Sequence, residues 1–315
     1  MYWDVYWSEL IEKKKLSLKV EELNQMDALR GNCLTIEQIC HKIYDDYYNE
    51  WRPHLDEVRQ QFIKLIDNFE GVHLQTNRIK TIDSLLVKII TKRHGNIGNP
   101  NSMYSKIDGD NYKNIVTDLI GLRLIINYRG KWQVIHKELI DSFPYVEEAY
   151  YKKHKLIPND LFKENVLAEI PTVYYAIGDN IDAYSNFNMI AKQHGKGYRS
   201  IHYVVIFMGV YIEIQIRTIY DEAWSDCDHS YVYKQDENKS HTALESLSQI
   251  LCQLTNIAND MGENMREIFE SEKMIDQGDG TWKTSKECIE SFDQALNRVK
   301  LTYQKLETFR GKLKY

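Results

Sequence analysis

Two runs near the middle of the chain alternate between apolar and polar residues at the period of a β-strand. They cover residues 198–207 and 211–218, and Gly209 lies in the short segment between them. Because a glycine between two alternating runs is typical of a tight turn, we expect an antiparallel hairpin. Strand side chains alternate between two faces, so the buried side of the second strand is predicted to carry Ile212, Ile214 and Ile216.

The opposite face of this hairpin is polar and aromatic. It carries Tyr198, Ser200 and His202 on the first strand and Tyr211, Glu213, Gln215 and Arg217 on the second. A face of this kind is often only the solvated side of an antiparallel sheet. Alternation alone therefore leaves a working surface and a solvated surface equally open.

Helical periodicity dominates the two ends of the chain. Thr35 and Gln38 form a capping-box pattern that opens an amphipathic helix, which Pro53 is expected to break or kink. A second helix follows over residues 55–69. In the tail, apolar positions predict two long helices, over residues 240–274 and 284–310.

The middle of the chain reads as shorter elements joined by loops. An extended segment and a helix are predicted over residues 72–92, a mobile loop over 94–111, and a turn at Gly121 before a strand at 122–127. Helices are predicted at residues 132–142 and 219–231, and strand-like fragments at 146–151, 172–177 and 187–192.

Several charged side chains in this middle part are candidates for phosphate binding. Arg78 and Lys80 share one side of the extended segment, while Ser84 and Lys88 are one helical turn apart. Two cations, a hydroxyl and a guanidinium suit a polyphosphate, although ordinary surface charge explains the same spacing. Asp118 precedes the predicted turn and is either a helix cap or a metal ligand.

Composition limits the protein class. The net charge of −6 argues against a generally basic nucleic-acid binder, but it permits local basic patches. The five cysteines form no CxxC pair and no zinc-like cluster with histidine, which favours free thiols in a reducing cytosol. No apolar run approaches the length of a membrane span, and the N-terminus lacks the pattern of a signal peptide. We therefore expect a cytoplasmic protein.

Four motifs occur in a characteristic order: RIKTIDSLLVK, DLIGLR, GYRSIHY, and EIQIRT followed by a helix that ends in YK. Together they resemble the RelA/SpoT-type nucleotidyl pyrophosphokinase domain, specifically the single-domain small alarmone synthetases. The resemblance implies an α+β fold with a mixed, mostly antiparallel central sheet flanked by helices. It divides the chain into an N-terminal extension (1–34), the pyrophosphokinase domain (35–235) and additional C-terminal helices (236–315).

The resemblance also implies a chemistry, the transfer of the β,γ-pyrophosphate of ATP to a ribose 3′-hydroxyl with Mg²⁺. Arg78 and Arg123 would sandwich the adenine, and Lys80, Ser84 and Lys88 would hold the ATP phosphates. Asp118 would bind Mg²⁺, and Glu213 would complete the metal site or act as the base on the hydroxyl. The acceptor side would comprise Tyr198 stacked on the base, with His202, Gln215, Arg217 and Lys196 around it.

Departures from the family pattern concern the acceptor. The loop before Tyr198 is KQHGKG where housekeeping members carry a KPNGY-like loop, and Asp228 stands where an acid is expected before His229. These traits resemble the toxic small alarmone synthetases of toxin–antitoxin pairs, several of which modify the 3′-CCA end of tRNA. This subgroup implies a protein antitoxin as partner. Candidate tRNA-phosphate contacts are Lys13–Lys15, Lys19, Lys152, Lys153 and Lys155.

Three alternatives remain open from the sequence. The enzyme would make (p)ppGpp or (p)ppApp if its acceptor were free GDP, GTP or an adenine nucleotide. A non-catalytic nucleotide-binding or RNA-binding module is a different class, which the pairing of Asp118 with Glu213 disfavours. The C-terminal helices either pack on the domain itself or form a surface for a homo-oligomer or an antitoxin. The chain has no His-Asp dipeptide of the family's hydrolase domain, so we expect synthesis without hydrolysis.

Overall fold

One mixed seven-stranded sheet organises the protein in this computed structural model. The structure describes residues 3–31, 34–146, 165–233 and 242–276, and seven further positions between 293 and 308. The strands are β1 (Leu74–Ile79), β2 (Ile120–Ile126), β3 (Val166–Leu167), β4 (Thr172–Tyr175), β5 (Ile190–Gln193), β6 (Ser200–Phe207) and β7 (Val210–Thr218). Their order is β1-β2-β7-β6-β4-β5, with β3 also paired to β6.

Most neighbouring strands run antiparallel. Only the β2–β7 and β4–β5 pairs are parallel among the described strands. The helices are α1 (Trp3–Lys13), α2 (Ser17–Leu29), α3 (Ile36–Asp46), α4 (Arg52–Ile66), α5 (Ile82–Gly95), α6 (Tyr112–Ile115), α7 (Trp132–Ser142), α8 (Ile219–Asp228) and α9 (Thr242–Asp276). The predicted α+β class with a mostly antiparallel sheet is confirmed.

The central hairpin forms as the alternation predicts. Met208 and Gly209 both have positive φ (50° and 75°), which matches the twist of a two-residue turn between antiparallel strands. Ile212, Ile214 and Ile216 are fully or almost fully buried. They join one apolar cluster that also contains core residues of α3, α4, α5 and α7.

Tyr211 departs from the predicted polar face. It is buried, and it packs with Val166, Val204 and Ile206 in a second apolar cluster. The short strand β3 pairs with β6 beside this end of the hairpin and contributes Val166 to the cluster. The polar face is therefore apolar at this end of the sheet.

Pro53 does not break the N-terminal helices. Thr35 and Gln38 form the predicted capping box at the start of α3. A π-helical turn, Tyr47–Trp51, then joins α3 directly to α4, and Pro53 lies in the first turn of α4. Proline is tolerated there because the first-turn N–H groups have no helical partner.

Two predictions for the middle segment need correction. Gly121 is not in a turn, because it lies inside β2 and is paired with both neighbouring strands. The segment predicted as a mobile loop contains a 3₁₀ helix, Met103–Lys106, and ends at the buried Tyr112 of α6. Side-chain to backbone hydrogen bonds of Asp108 and Asn111 give the segment a defined path.

The long tail helix α9 packs on the protein's own α8. The indole Nε1 of Trp224 donates to the Ser248 carbonyl (3.0 Å), and the Asn259 amide donates to Asp221 (3.0 Å). The contact favours internal packing over a free surface for this helix. The second predicted tail helix falls outside the described residues except at those seven positions, which are helical. The strand predicted at 146–151 also lies outside them, apart from its first residue.

None of the helices in the described ranges is long and apolar enough to cross a membrane. Cys40, Cys227 and Cys252 are free thiols, and Cys33 and Cys288 lie outside the described residues.

Candidate active site

The polar face predicted for the hairpin extends across the sheet as far as β1. Strand register places Arg78, Gly121 and Glu213 side by side on β1, β2 and β7. One step along, Thr76, Arg123 and Gln215 form the next row. Beyond Gln215 the rows continue to His202 on β6 and Thr172 on β4. The predicted site residues that lie on strands therefore share one continuous sheet face, opposite the isoleucine core.

Asp118 lies at the start of β2, between two lysine ammonium groups. Its Oδ2 is 2.8 Å from Nζ of Lys80, and its Oδ1 is 2.8 Å from Nζ of Lys88. The Asp118 side chain is only 14% exposed. Burial alone would raise the pKa of this carboxyl, but Lys88 and Lys80 outweigh burial and hold the pKa below its ordinary value. Asp118 is thus a carboxylate at neutral pH.

Lys80 and Lys88 approach Asp118 from two different elements. Lys80 follows β1 directly, and its backbone N–H donates to the Leu119 carbonyl (2.9 Å). Lys88 projects from α5. Burial lowers the pKa of Lys80, and the attraction of Asp118 offsets this lowering only in part. The two cations and the carboxylate form a compact cluster.

Ser84 lies in the first turn of α5 and is exposed. Thr81 caps this helix by accepting a hydrogen bond from the Ser84 N–H, and its hydroxyl donates to Ser84 Oγ (2.8 Å). The first-turn N–H groups and the helix dipole make such a position favourable for anions. A phosphate contact of Ser84 stays a prediction.

A small cavity of about 160 Å³ lies over the β1–β2–β7 surface. Its lining includes Arg78, Gly121 and Arg123, together with Glu213 and Gln215. The Arg78 side chain passes over Gly121, since a Cβ built at Gly121 would be 3.5 Å from Arg78 Nε. The Arg123 guanidinium is held from α8 by Glu222 (2.6 Å) and Asp226 (3.4 Å). Two guanidiniums at one glycine-floored cavity suit a flat heterocycle.

Glu213 is the second carboxylate of the site. Its Oε1 is 3.6 Å from Nδ1 of His202, and its Oε2 accepts a hydrogen bond from the Gln215 amide (2.9 Å). Burial would raise the pKa of Glu213, but the interactions with His202 and Gln215 hold it below its ordinary value. Glu213 is thus also ionised at neutral pH.

Tyr198 and Arg217, which are predicted to serve the acceptor, are in direct contact. The Arg217 guanidinium lies over the Tyr198 ring, with Cζ 4.8 Å from the ring centroid, and it also donates to the Tyr198 hydroxyl. The same hydroxyl is 2.8 Å from Nε2 of His202. Because the hydroxyl accepts from Arg217, its own proton is available to Nε2, which leaves Nδ1–H facing Glu213.

Arg217 is placed differently from a free phosphate ligand. It is buried, and its guanidinium donates to Glu222 (2.8 Å), Ser225 (2.8 Å) and Gln215 (2.7 Å). These bonds make it a support for the Tyr198 ring. Lys196, by contrast, is exposed in the loop before Tyr198.

The loop that carries Lys196 rests on the tail helix. Gly197 has φ of 92°, and a Cβ at this position would overlap Sγ of Cys252 on α9. Arg199, two residues on, is held by Asp179 through two hydrogen bonds of 2.7 and 2.8 Å. The acceptor loop is thus fixed by a close backbone approach that only glycine permits.

Two carboxylates of this region were missed in the sequence. Glu222 bridges Arg123 and Arg217, and Glu169 interacts electrostatically with Glu213 and Lys192. Desolvation of the Glu169 carboxyl and repulsion by Glu213 raise its pKa, although part of the residue is exposed. No motif marks Glu169, whereas Glu222 could have been suspected from its place in the first turn after the EIQIRT motif.

The residues fit a magnesium ion that arrives with a nucleotide. Oδ1 of Asp118 is buried and accepts no hydrogen bond of ordinary geometry, despite the nearby Lys88 ammonium. The described part of the chain contains no cluster of three potential metal ligands. Magnesium is commonly held by one or two carboxylates, with phosphate oxygens and water completing its shell. Asp118 and Glu213 fit that arrangement.

Comparison with solved structures gives distant likenesses. The small alarmone synthetase 1 from Bacillus subtilis is 17% identical, with a TM-score of 0.45 over 70% of this chain and 96% of that one. The structure of that synthetase bound to its product pppGpp is 17% identical, with a TM-score of 0.44 over 71% of this chain and 97% of that one. A GTP pyrophosphokinase family protein from Streptococcus pneumoniae is 18% identical, with a TM-score of 0.40 over 73% of this chain and 92% of that one. These likenesses are too distant to assign a substrate or the role of a residue.

No curated protein is detectably similar to this chain in sequence. A family model described as "Region found in RelA / SpoT proteins" matches residues 77–238, which is just over half of the chain. The match includes all four motifs and every predicted site residue from Arg78 to Arg217. The family predicted from the motifs is thereby confirmed: the chain belongs to the RelA/SpoT family and is an enzyme of the pyrophosphokinase class.

Proposed function

We propose that this enzyme transfers the β,γ-pyrophosphate of ATP to the ribose 3′-hydroxyl at the 3′-CCA end of tRNA, and so inhibits translation as the toxin of a toxin–antitoxin pair. The observation that carries the proposal is the asymmetry of the polar face. Its donor end is a cavity between β1 and β2, whereas its acceptor end faces the edge strand β5, all four residues of which are exposed.

The donor end accounts for ATP. Adenine fits between the guanidiniums of Arg78 and Arg123 above Gly121, where planar cations stack and a bulkier floor would intrude. Lys80, Lys88 and Ser84 then lie towards the phosphates. Mg²⁺ held by Asp118 and Glu213 would neutralise phosphate charge during the transfer.

Glu213 accounts for the chemical step. The 3′-oxygen attacks the β-phosphorus of ATP, the bond from this phosphorus to the bridging α,β-oxygen breaks, and AMP leaves. The hydroxyl proton passes to the Glu213 carboxylate, whose ionised state His202 and Gln215 maintain. Lys80 and Lys88 stabilise the negative charge that develops on the transferred and leaving phosphates.

The acceptor end is suited to a nucleotide at the end of a polynucleotide chain. Tyr198, supported from below by Arg217, offers its ring to a terminal adenine. The exposed edge strand carries Lys192, and the adjoining loop carries Lys196, so cations border the path that the preceding nucleotides would take. A free nucleotide needs no such open edge.

The lysines proposed for tRNA contact differ in their exposure and in whether the structure describes them. Lys13, Lys14 and Lys15 are exposed after α1, the helix whose Tyr6 donates to Asp83 (2.8 Å) beside the donor site. Lys19 on α2 is half-buried. Lys152, Lys153 and Lys155 lie outside the described residues.

The test is a transfer assay with γ-labelled ATP and Mg²⁺, in which deacylated tRNA and GDP are offered in parallel. We expect label on tRNA, lost when the CCA end is trimmed, and absent with Glu213→Gln. We also expect the reaction with tRNA to weaken with salt. An acceptor that engages about three phosphates loses roughly 20- to 40-fold in affinity between about 50 and about 200 mM salt.

The contrary outcomes are distinct. Label on GDP alone, with little dependence on salt, would make the protein a synthetase of (p)ppGpp, and label on adenine nucleotides a synthetase of (p)ppApp. No transfer to any acceptor would favour a non-catalytic binding module.

A further inference from the structure

One carboxylate joins the two ends of the polar face. Glu222 lies in the first turn of α8, which begins directly after β7, and its side chain is 17% exposed. Its Oε1 is 2.6 Å from Nη1 of Arg123, and its Oε2 is 2.8 Å from Nη1 of Arg217. Each oxygen therefore serves a different guanidinium.

The two arginines belong to different substrate sites. Arg123 lines the small cavity at the donor end. Arg217 lies over the Tyr198 ring at the acceptor end. On the parallel strands β2 and β7 they are offset by one row, because Arg123 is paired with Gln215. A single carboxylate spans that offset.

The first turn of α8, which carries Glu222, is anchored to the rest of the protein. Thr218 caps α8 by accepting a hydrogen bond from the Asp221 N–H (3.1 Å), and the Asn259 amide of α9 holds the Asp221 carboxylate. A carboxylate in the first turn is also stabilised by the helix dipole. The backbone from which Glu222 extends is therefore anchored, and its carboxylate is shared by the two guanidiniums.

The network continues from Arg217 to the reacting centre by two routes. Arg217 donates to Gln215, which donates to Glu213, and Arg217 also donates to Tyr198, whose hydroxyl meets His202 beside Glu213. The chain of charge-assisted bonds thus runs from Arg123 through Glu222 and Arg217 to the carboxylate at the reacting centre.

We propose that Glu222 is a positioning residue that couples the two substrate sites, so that a purine bound against Arg123 orders Arg217 and the Tyr198 ring for the acceptor. This inference rests on the proposed function. Coupling of this kind is reciprocal, so the acceptor must tighten ATP binding by the same factor. Its cause is a carboxylate shared by two guanidiniums, and Glu222 does not itself line the donor cavity.

The neighbours of Glu222 provide matched controls. The Asp226 carboxylate is 3.4 Å from the Arg123 guanidinium, and its side chain is 69% exposed. Ser225 is uncharged and accepts a hydrogen bond from Arg217. Asp226→Asn therefore weakens the donor side alone, and Ser225→Ala the acceptor side alone. Glu222→Gln removes the charge that both arginines share. Glu222→Asp keeps the charge but is one methylene too short to reach both.

The experiment measures dissociation constants by calorimetry on the full chain. The probes are a methylene analogue of ATP and the acceptor that takes label in the transfer assay, each titrated with and without the other. For the unsubstituted protein we expect each ligand to tighten the other by about 5–50-fold. Glu222→Gln and Glu222→Asp should reduce this factor below about twofold, while Asp226→Asn and Ser225→Ala retain it. Thermal unfolding checks that each variant is folded.

The outcomes separate the two proposals. Coupling that persists in both Glu222 variants, or that the unsubstituted protein lacks, overturns the role of Glu222 while transfer activity stands. Loss of coupling in Asp226→Asn or Ser225→Ala to the same extent also overturns it, because general loosening would then be the cause. Absence of both binding and transfer in the unsubstituted protein overturns the proposed function itself.

Discussion

Gly121 on β2 lies directly opposite Arg78 on β1, and the Arg78 side chain passes over it. A methyl group at Gly121 would be 3.5 Å from Arg78 Nε, which is an ordinary van der Waals contact. A longer side chain would extend into the cavity between the two guanidiniums. The missing side chain at Gly121 therefore keeps this cavity open, and the glycine does not form a turn.

This relationship predicts the effect of two substitutions. Gly121→Leu should fill the donor cavity and weaken binding of the ATP analogue at least about tenfold, a change of roughly 1.4 kcal/mol. Gly121→Ala should leave the dissociation constant within about threefold. Calorimetric titration of both variants checks the prediction. Analogue binding to the leucine variant at the original strength would place the adenine elsewhere.

Glu213→Gln should reduce the rate of pyrophosphate transfer by roughly 10²–10⁴-fold, the usual range for loss of a general base. The amide keeps the shape of the side chain, so the fold should persist in circular dichroism and thermal melts. Rapid-quench measurement of one turnover gives the rate of the chemical step.

The neighbouring Glu169 provides the control for this base. Its pKa is raised, whereas that of Glu213 is lowered, and the two carboxylates interact. We expect Glu169→Gln to lose much less activity than Glu213→Gln. The reverse ranking would transfer the role of the base to Glu169.

Asp118→Asn should lower the free energy of unfolding by roughly 3 kcal/mol at pH 7, because Lys80 and Lys88 would remain partly buried without their carboxylate. The Asp118 pKa in the folded protein lies below its ordinary value of 3.8. Its stabilising contribution is thus complete above that pH and is lost as the pH falls through the lower folded value. The difference between the two proteins should shrink below about pH 4.

Urea unfolding at several pH values measures this difference. Asp110→Asn is the control, because Asp110 pairs with Lys42 on the surface, where its side chain is 77% exposed. An exposed pair contributes little, so this variant should change stability by less than about 1 kcal/mol. An equal loss in both variants would contradict the special position of Asp118.

Gly197→Ala should raise the KM for the acceptor several-fold and leave ATP binding unchanged. A Cβ at Gly197 would overlap Sγ of Cys252, and φ of 92° is unfavourable for alanine by roughly 1–2 kcal/mol. Burial raises the pKa of Cys252, so its sulfur packs here as a neutral thiol. Steady-state kinetics with each substrate varied in turn provides the measurement.

The double variant Gly197→Ala/Cys252→Ala separates the two causes. Removing the sulfur relieves the overlap but not the backbone strain, so the KM should fall only part of the way back. Cys252→Ala alone should have a small effect. A large increase in the KM for ATP in any of these variants would show that the loop serves the donor side.

The local elements could be predicted from the sequence because their determinants are local. The capping box of Thr35 and Gln38 and the alternation of Ile212 with Glu213 act over a few residues, and both are found in the structure. Gly121 was misread as a turn because glycine usually interrupts a strand. In the structure it lies inside β2, directly opposite Arg78, which is 43 positions away on a neighbouring strand.

The candidate site was only partly visible in the sequence. Lys80 and Asp118 are 38 residues apart, and spacing gave no sign that they meet; the family resemblance assigned one to phosphate and the other to Mg²⁺. The Glu222 bridge to Arg123 crosses 99 residues, and no motif indicates that these two side chains meet. Contacts between charged side chains on distant elements depend on the order of the strands in the sheet. No short segment of sequence determines that order.

The contact between α9 and the acceptor loop has a consequence for how this enzyme can be inhibited. Helix α9 begins at Thr242, beyond the matched family region that ends at residue 238, yet its Cys252 underlies Gly197 and its Asn259 holds Asp221. A molecule that displaced α9 from the acceptor loop would inhibit the enzyme without occupying the donor or the acceptor site. Its inhibition would be noncompetitive towards ATP, and no excess of nucleotide would reverse it.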